Sequence, residues 1–171
     1  MIGLKRGKVL LADHDSNWSE IATKTIESLE KIFGEIAIDI QHVGSTSIKG
    51  IKAKPIIDLA IAVKRLEDVY LLVPKLEENG FIHKPQNDNE GQVFFSCGDY
   101  EKDTRSHHIH VVIHNGTEWR EYIKFRDYLN NHCQAAREYE ELKLNLMKKY
   151  PNDRTTYTES KASFIKGILS R

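Results

Sequence analysis

The sequence predicts a mixed α/β fold: a β-sheet flanked by helices and followed by a C-terminal helical extension. Three observations carry this. Ile36, Ile38 and Ile40 alternate with Ala37, Asp39 and Gln41, the period of a half-buried strand. Residues 56–63 are apolar except at Asp58, the pattern of a central strand covered on both faces. After Gly116, apolar residues recur three and four apart as far as Ile168, which is helical spacing. A chain of 171 residues with 40% hydrophobic content suits one domain with a real core. That domain divides into a sheet-containing core over 1–114 and helices over 115–171.

The elements follow in order. Lys8 to Ala12 reads as a first strand, followed by a polar turn. Asp15 or Ser16 caps a helix whose apolar stripe runs from Trp18 through Ala22, Ile26 and Leu29 to Phe33, and Gly34 ends it. The alternating strand runs to His42, which falls on the isoleucine side. Pro55 permits only a strand start or an edge, so the next strand begins there. Leu66, Val69, Tyr70, Val73 and Leu76 predict a helix kinked near Pro74. Phe81 to Lys84 is a short strand, and residues 85–91 form a polar loop, either a surface turn or a flap. Gln92 to Cys97 and Ser106 to Ile113 read as two strands of a hairpin. Two helices then contain Trp119 to Leu129 and Ala135 to Leu146. Thr156 and Glu159 form a capping-box pattern for the last one.

Composition excludes several classes. Twenty-five basic and twenty-five acidic residues cancel, so no broad footprint for nucleic acid is expected. Cys97 and Cys133 stand far apart with no CxxC, which argues against a disulfide framework or zinc knuckle. No signal peptide or membrane span is visible, and the expected compartment is the cytoplasm. Gly44 to Gly50 superficially suggests a P-loop, but no Gly-Lys-Ser/Thr follows.

Chemistry concentrates in the stretch HVGSTSIKGIKAKPIID, residues 42–58. Gly44, Ser45, Thr46 and Ser47 make a small-residue turn leaving a strand. Such a turn lets backbone N–H groups and hydroxyls approach an anionic ligand such as phosphate. The stretch then delivers Lys54 and Asp58. A carboxylate in an otherwise apolar central strand is costly unless a metal, a cation or a hydrogen-bond donor meets it. That partner is either a ligand-borne divalent metal or a salt bridge to Lys54 or Arg105. His108 and His110 lie two apart on one strand and so share a face. They either offer two imidazoles to one metal or phosphate, or merely hydrogen-bond. Lys143 and Lys161 each follow a tyrosine by four residues, placing each pair on one helix face. They can supply charge to a phosphate cleft or cover surface.

These motifs together resemble the GrpB family. HVGSTSIKG followed by KPIIDL matches its signature turn and strand, and Arg105 with His108-Ile109-His110-Val111 matches a second segment. Phe125-Arg126-Asp127-Tyr128-Leu129, Tyr139 with Leu142-Lys143, and Tyr157 with Lys161 match three more, so the likeness runs from about Trp18 to Ile168. The family is similar to the nucleotidyltransferase superfamily, in which a Gly-Ser turn follows the first core strand and metal-binding acids sit on the next. The resemblance implies a nucleotidyltransferase-like sheet that binds a small phosphate or nucleotide ligand with a divalent metal, magnesium before a transition metal. His42, Gly44, Ser45, Thr46, Ser47 and Lys161 are then the ligand-binding candidates. Asp58, Lys54 and Arg105 are the catalytic candidates, and Asp58, His108 and His110 the metal candidates. One departure matters: Asp58-Leu59-Ala60 lacks the second acid of the superfamily pattern, which puts two-metal transfer in doubt. Two alternatives stand beside transfer. One is a different metal enzyme built on Asp58, His108 and His110. The other is a non-catalytic accessory domain, since the family also occurs fused to dephospho-CoA kinases.

Overall fold

A computed structural model describes all of residues 1–171. A two-residue strand β1 (Leu4–Lys5) precedes helix α1 (Asn17–Phe33), strand β2 (Ala37–Val43) and strand β3 (Ile57–Val63). Short helices α2 (Glu67–Tyr70) and α3 (Val73–Glu78) lead to β4 (Ile82–His83), β5 (Gln92–Cys97), β6 (Thr104–Arg105) and β7 (His107–Ile113). Four helices finish the chain: α4 (Thr117–Asn131), α5 (Cys133–Lys149), α6 (Arg154–Glu159) and α7 (Ala162–Leu169). The main sheet has the order β2-β3-β7-β5-β4, and β1 pairs with β6 in a separate ribbon. Only β3 and β7 run parallel; the other pairs in the sheet are antiparallel, so the sheet is mixed. No helix is long and apolar enough to cross a membrane.

Side chains alternate across a strand, so the register decides which residues meet. On β3, Ile57, Leu59, Ile61 and Val63 face α1 and join Trp18, Leu29 and Phe33 in the largest apolar core. Ala60 and Ala62 face the other way, packing with Val43, Val112 and Trp119 under α4. Asp58 shares that second face by parity. Its register partner on β7 is His108, and that of Ala60 is His110. The small side chains of Ala60 and Ala62 keep this face shallow next to Asp58.

The structure departs from the sequence pattern at four places. Lys8 to Ala12 is not a strand: only Ala12 pairs, in an isolated bridge to Ala53. The true first strand is Leu4–Lys5. The register of β2 against β3 shifts between Ala37 and Asp39, so Ile38 bulges out and is 50% exposed. A bulge inserts one unpaired residue and breaks the period of two. The helix expected to kink at Pro74 is instead two helices, with Pro74 in the first turn of the second, where it lacks no hydrogen bond. Finally, Asp153 rather than Thr156 caps α6. Its carboxylate accepts from the Thr156 N–H, and the helix breaks before Ala162 to give α7.

Candidate functional site

The face of the sheet that carries Asp58 does not close against the C-terminal helices. Between them lies a cavity of about 480 Å³, a size typical of small-molecule sites. Its floor is Gly44, Ile56, Asp58, Phe94, His108 and His110 from the sheet and the turn after β2. Tyr122 and Phe125 of α4, Tyr139 and Lys143 of α5, Arg154 and Tyr157 of α6, and Lys161 form the walls.

Asp58 is the centre of the floor. His108 Nδ1 lies 3.3 Å and His110 Nε2 3.2 Å from its Oδ1. Burial alone would raise its carboxyl, but the two imidazole hydrogen bonds outweigh this and hold it well below the usual carboxylate range. The site therefore contains a fixed anion at neutral pH. Arg154 Nη2 sits 3.2 Å from His108 Nε2. A guanidinium only donates, so Nε2 accepts and Nδ1–H donates to Asp58. That makes His108 the neutral tautomer, consistent with its titration being pushed down by burial more than Asp58 pulls it up. On the far side of His110, Nδ1 meets Gln92 Oε1 at 3.0 Å and the Tyr122 hydroxyl at 3.1 Å. The Tyr122 hydroxyl also donates to Gln92 Oε1 at 3.0 Å. Both imidazoles are thus locked in orientation from behind.

Opposite Asp58, cations gather. Lys143 is 1% exposed, donates to the Lys52 carbonyl and stands 4.6 Å from the Tyr139 ring centre. Lys54 and Lys161 lie over the Tyr157 ring, their Nζ atoms 5.3 and 4.7 Å from its centre. A ring quadrupole attracts an ammonium in this arrangement. Neither Lys54 nor Lys161 makes a hydrogen bond or ion pair to an acceptor. Burial first, then repulsion from Lys161, Arg154 and Lys143, brings Lys54 down to about 7. Burial and Lys161 bring Lys143 to about 7. Burial and Arg154 bring Lys161 to about 8, although Asp58 pulls it up. The Tyr157 hydroxyl is buried without a hydrogen-bond partner. Four basic side chains, Lys54, Lys143, Arg154 and Lys161, thus share the cavity with the carboxylates of Asp58, Glu118 and Glu121.

The profile of the GrpB protein family matches residues 8–171. The chain belongs to the GrpB family. The Glutamate-rich protein GrpB of Alkalihalophilus pseudofirmus is 44% identical over 172 residues, 99% of each chain. The crystal structure of the conserved protein GrpB from Enterococcus faecalis superposes with a TM-score of 0.86 at 29% identity, covering 94% of this chain and 95% of that one. The protein YqkA of Bacillus subtilis is 34% identical over 159 residues, but this chain spans only 46% of its length. The mixed sheet with its flanking helices is thus the GrpB fold.

Within that fold, the residues marked out by sequence fall into two groups. Gly44, Ser45, Lys54, Asp58, His108, His110 and Lys161 line the one cavity. His42, Thr46, Ser47 and Arg105 do not. His42 pairs with Leu59 across the strands and so lies on the α1 face, with Nε2 2.9 Å from Thr46 Oγ1. Burial pushes it down to about 4, so it is neutral. Thr46 is 3% exposed and also reaches the Ile56 carbonyl at 3.4 Å. Ser47 Oγ donates to the Gly44 carbonyl at 2.6 Å. These three side chains hold the turn together from within. Arg105 bonds the Thr104 carbonyl, pairs with Asp103 and stacks 4.2 Å from the Tyr100 ring. Arg154, coming from α6, stands in the cavity where a guanidinium was expected from Arg105. Arg154 and Tyr122 carried no sequence signal. Arg154 sits among polar residues and Tyr122 three residues from both Trp119 and Phe125 in α4, and only the packing of α4 and α6 over the sheet brings them to the histidines.

Proposed function

We propose that the cavity binds a nucleotide or a closely related phosphorylated small molecule as the substrate of a phosphate-centred group transfer. The observation that supports this best is the convergence of Lys54, Lys143, Lys161 and Arg154 on one cavity beside the Gly44-Ser45 turn. Half-buried ammonium groups without acceptors, as Lys54 and Lys161 are, carry a desolvation cost that an anionic ligand removes. Phosphate oxygens suit such a set, because lysine supplies point charge and arginine a planar fork. The walls of Phe125, Tyr139 and Tyr157 give an aromatic surface for the rest of the ligand.

A divalent ion that accompanies phosphates needs oxygen donors. Asp58 offers one, Oδ2, which lies against Gly44 while Oδ1 takes both histidines. Magnesium commonly uses one or two carboxylates plus substrate phosphates, so a single ion fits this donor set. Two ions do not fit, because Ala60 occupies the position of a second acid on the same face. Such an ion would neutralise charge on the phosphates. The lysines and Arg154 bind and orient the ligand, and the C-terminal helices exclude water. A transition metal on Asp58, His108 and His110 is less well supported. His108 gives its Nδ1–H to Asp58 Oδ1 and its Nε2 lone pair to Arg154, which leaves no nitrogen free for a metal. Nor do any three His, Cys, Asp or Glu side chains cluster with metal-site geometry.

Thermal shift and calorimetry with ATP, GTP, CTP and UTP, each with magnesium, test the proposal. A ligand at one hundred times its dissociation constant adds about 2.7 kcal/mol to stability. Arg154→Ala and Lys161→Ala should each weaken binding at least ~10-fold, from the loss of one charge-assisted hydrogen bond. Absence of any stabilisation by all four triphosphates would overturn it.

A further inference from the structure

We infer that Lys54 is a nucleophile that takes the nucleotidyl group covalently before an acceptor receives it. This rests on the nucleotide reading of the cavity and assigns to Lys54 a role that charge stabilisation does not contain.

Three observations carry it. First, Lys54 Nζ is in the cavity and has no acceptor, while Lys143 Nζ is pinned to the Lys52 carbonyl. Lys54 Nζ stands 5.3 Å from the Tyr157 ring centre and is engaged by no hydrogen bond. Second, the backbone around Lys54 is fixed. Ala53 makes both bridge hydrogen bonds with Ala12, at 2.9 and 3.0 Å, and the Ile56 N–H donates to the Lys54 carbonyl at 2.7 Å. Pro55 fixes its own φ and restricts Lys54 before it, and the Gly3 N–H donates to the Pro55 carbonyl at 2.7 Å. A nucleophile works best from a rigid base. Third, the face that carries Asp58 has Ala60 in place of a second acid. Direct attack by an acceptor hydroxyl is left without the carboxylate that would help to activate it. An amine needs no such activation once it is unprotonated. Burial with Lys161, Arg154 and Lys143 nearby brings Lys54 to about 7, so much of it is the free amine at neutral pH.

The step balances with a nucleoside triphosphate as co-reactant. The Lys54 Nζ lone pair forms a bond to the α-phosphorus. The bond from that phosphorus to the bridging oxygen breaks, and pyrophosphate leaves with its electron pair. The proton lost from nitrogen goes to the departing pyrophosphate. Lys161 and Arg154 stabilise the charge that develops on it. In a second step an acceptor hydroxyl attacks the same phosphorus, and the hydroxyl proton returns to Nζ as the nitrogen–phosphorus bond breaks.

Intact mass spectrometry of the full chain after incubation with ATP and magnesium, and separately with GTP, CTP and UTP, tests this. The expected result is one added nucleoside monophosphate, stable to alkali, released by mild acid, and accompanied by one pyrophosphate. Lys54→Arg should abolish the adduct, and peptide mapping of the adduct formed by the unmodified chain should place it on Lys54. Lys54→Met, checked for a cooperative melting transition, should also give no adduct. Triphosphate binding with no adduct in the unmodified chain would overturn the covalent role while leaving nucleotide binding intact. An adduct that persists in Lys54→Arg would move the nucleophile elsewhere and overturn the assignment. If no triphosphate binds at all, the nucleotide reading and this inference fall together.

Discussion

Gly44 stands at φ +71°, and a Cβ built on it would fall 2.6 Å from Asp58 Oδ2 and 2.9 Å from Asp58 Cβ. Backbone in that region is disfavoured for any residue with a side chain, and the contact is with the residue that anchors the site. Gly80 has a similar φ of +84°, but nothing lies within 4 Å of its Cβ position. The pair separates two effects. Gly80→Ala should cost only the backbone penalty, about 1 kcal/mol, with ligand binding unchanged. Gly44→Ala should cost about 2–4 kcal/mol and also push Asp58 off its two histidines, so that nucleotide binding is lost. Urea denaturation and nucleotide thermal shift on both variants read this out. Equal destabilisation with binding retained in both would show that the Gly44–Asp58 contact is not what the turn is built for. The small residues of residues 44–47 thus serve two neighbours. Glycine makes room for a carboxylate, while Thr46 and Ser47 tie the turn to itself.

At the level of elements, β2 shows how a period can mislead. Ile36, Ile38 and Ile40 alternate, yet the bulge after Ala37 throws Ile38 out to 50% exposure while Ile40 stays in the main core at 7%. Ile38→Thr should therefore change stability by less than about 0.5 kcal/mol, whereas Ile40→Ala should cost about 2–4 kcal/mol. Equal costs in urea denaturation would mean that the bulge is absent in solution. The boundaries of β3, β5 and β7 were legible because strand-length apolar runs there are bounded by Pro55, Gly91 and Asn115. The common face of Asp58, His108 and His110 follows from a side-chain period of two once β3 and β7 are neighbours in register. The place of His42 was not legible. Its parity with Ile40 was clear, but which face of the sheet would hold the cavity depends on where α4 packs. Arg154 was hidden for the same reason. Its position depends on α6 starting at the Asp153 cap and turning back over His108, a contact 46 residues apart in sequence.

For the whole molecule, the cavity exists only when distant parts of the chain meet. Asp58 and the histidines come from the sheet, Lys54 from the segment before β3, Lys143 from α5, Arg154 from α6 and Lys161 from the start of α7. Folding therefore buries several like charges together, and this has a consequence for pH. Lys54 and Lys143 titrate near 7 and Lys161 near 8 in the folded chain, against an ordinary value of 10.5. Above pH 7 the unfolded chain then binds more protons than the folded one, so stability rises with pH as these lysines discharge. Below pH 7 they are charged in both states and the cost of burying them is paid in full. His42 and His107, both brought to about 4 mainly by burial, act in the same direction between pH 4 and 6.5. Cys97, raised to about 12 by burial, opposes the trend only above its ordinary value of 9. A phosphate ligand reverses the sign for Lys143 and Lys161, because it binds their charged forms and must lose affinity as they discharge. Melting temperature should therefore climb between pH 6 and 9 in the free protein, while the shift produced by ATP with magnesium shrinks over the same interval. Replacing Lys143 by Met should raise the free protein's melting temperature near pH 6.5 and flatten its climb, since a buried charge is exchanged for a side chain of similar length. An ATP-induced shift that stays constant from pH 6 to 9 would show that these lysines do not meet the phosphates, and the charge argument for the cavity would fail.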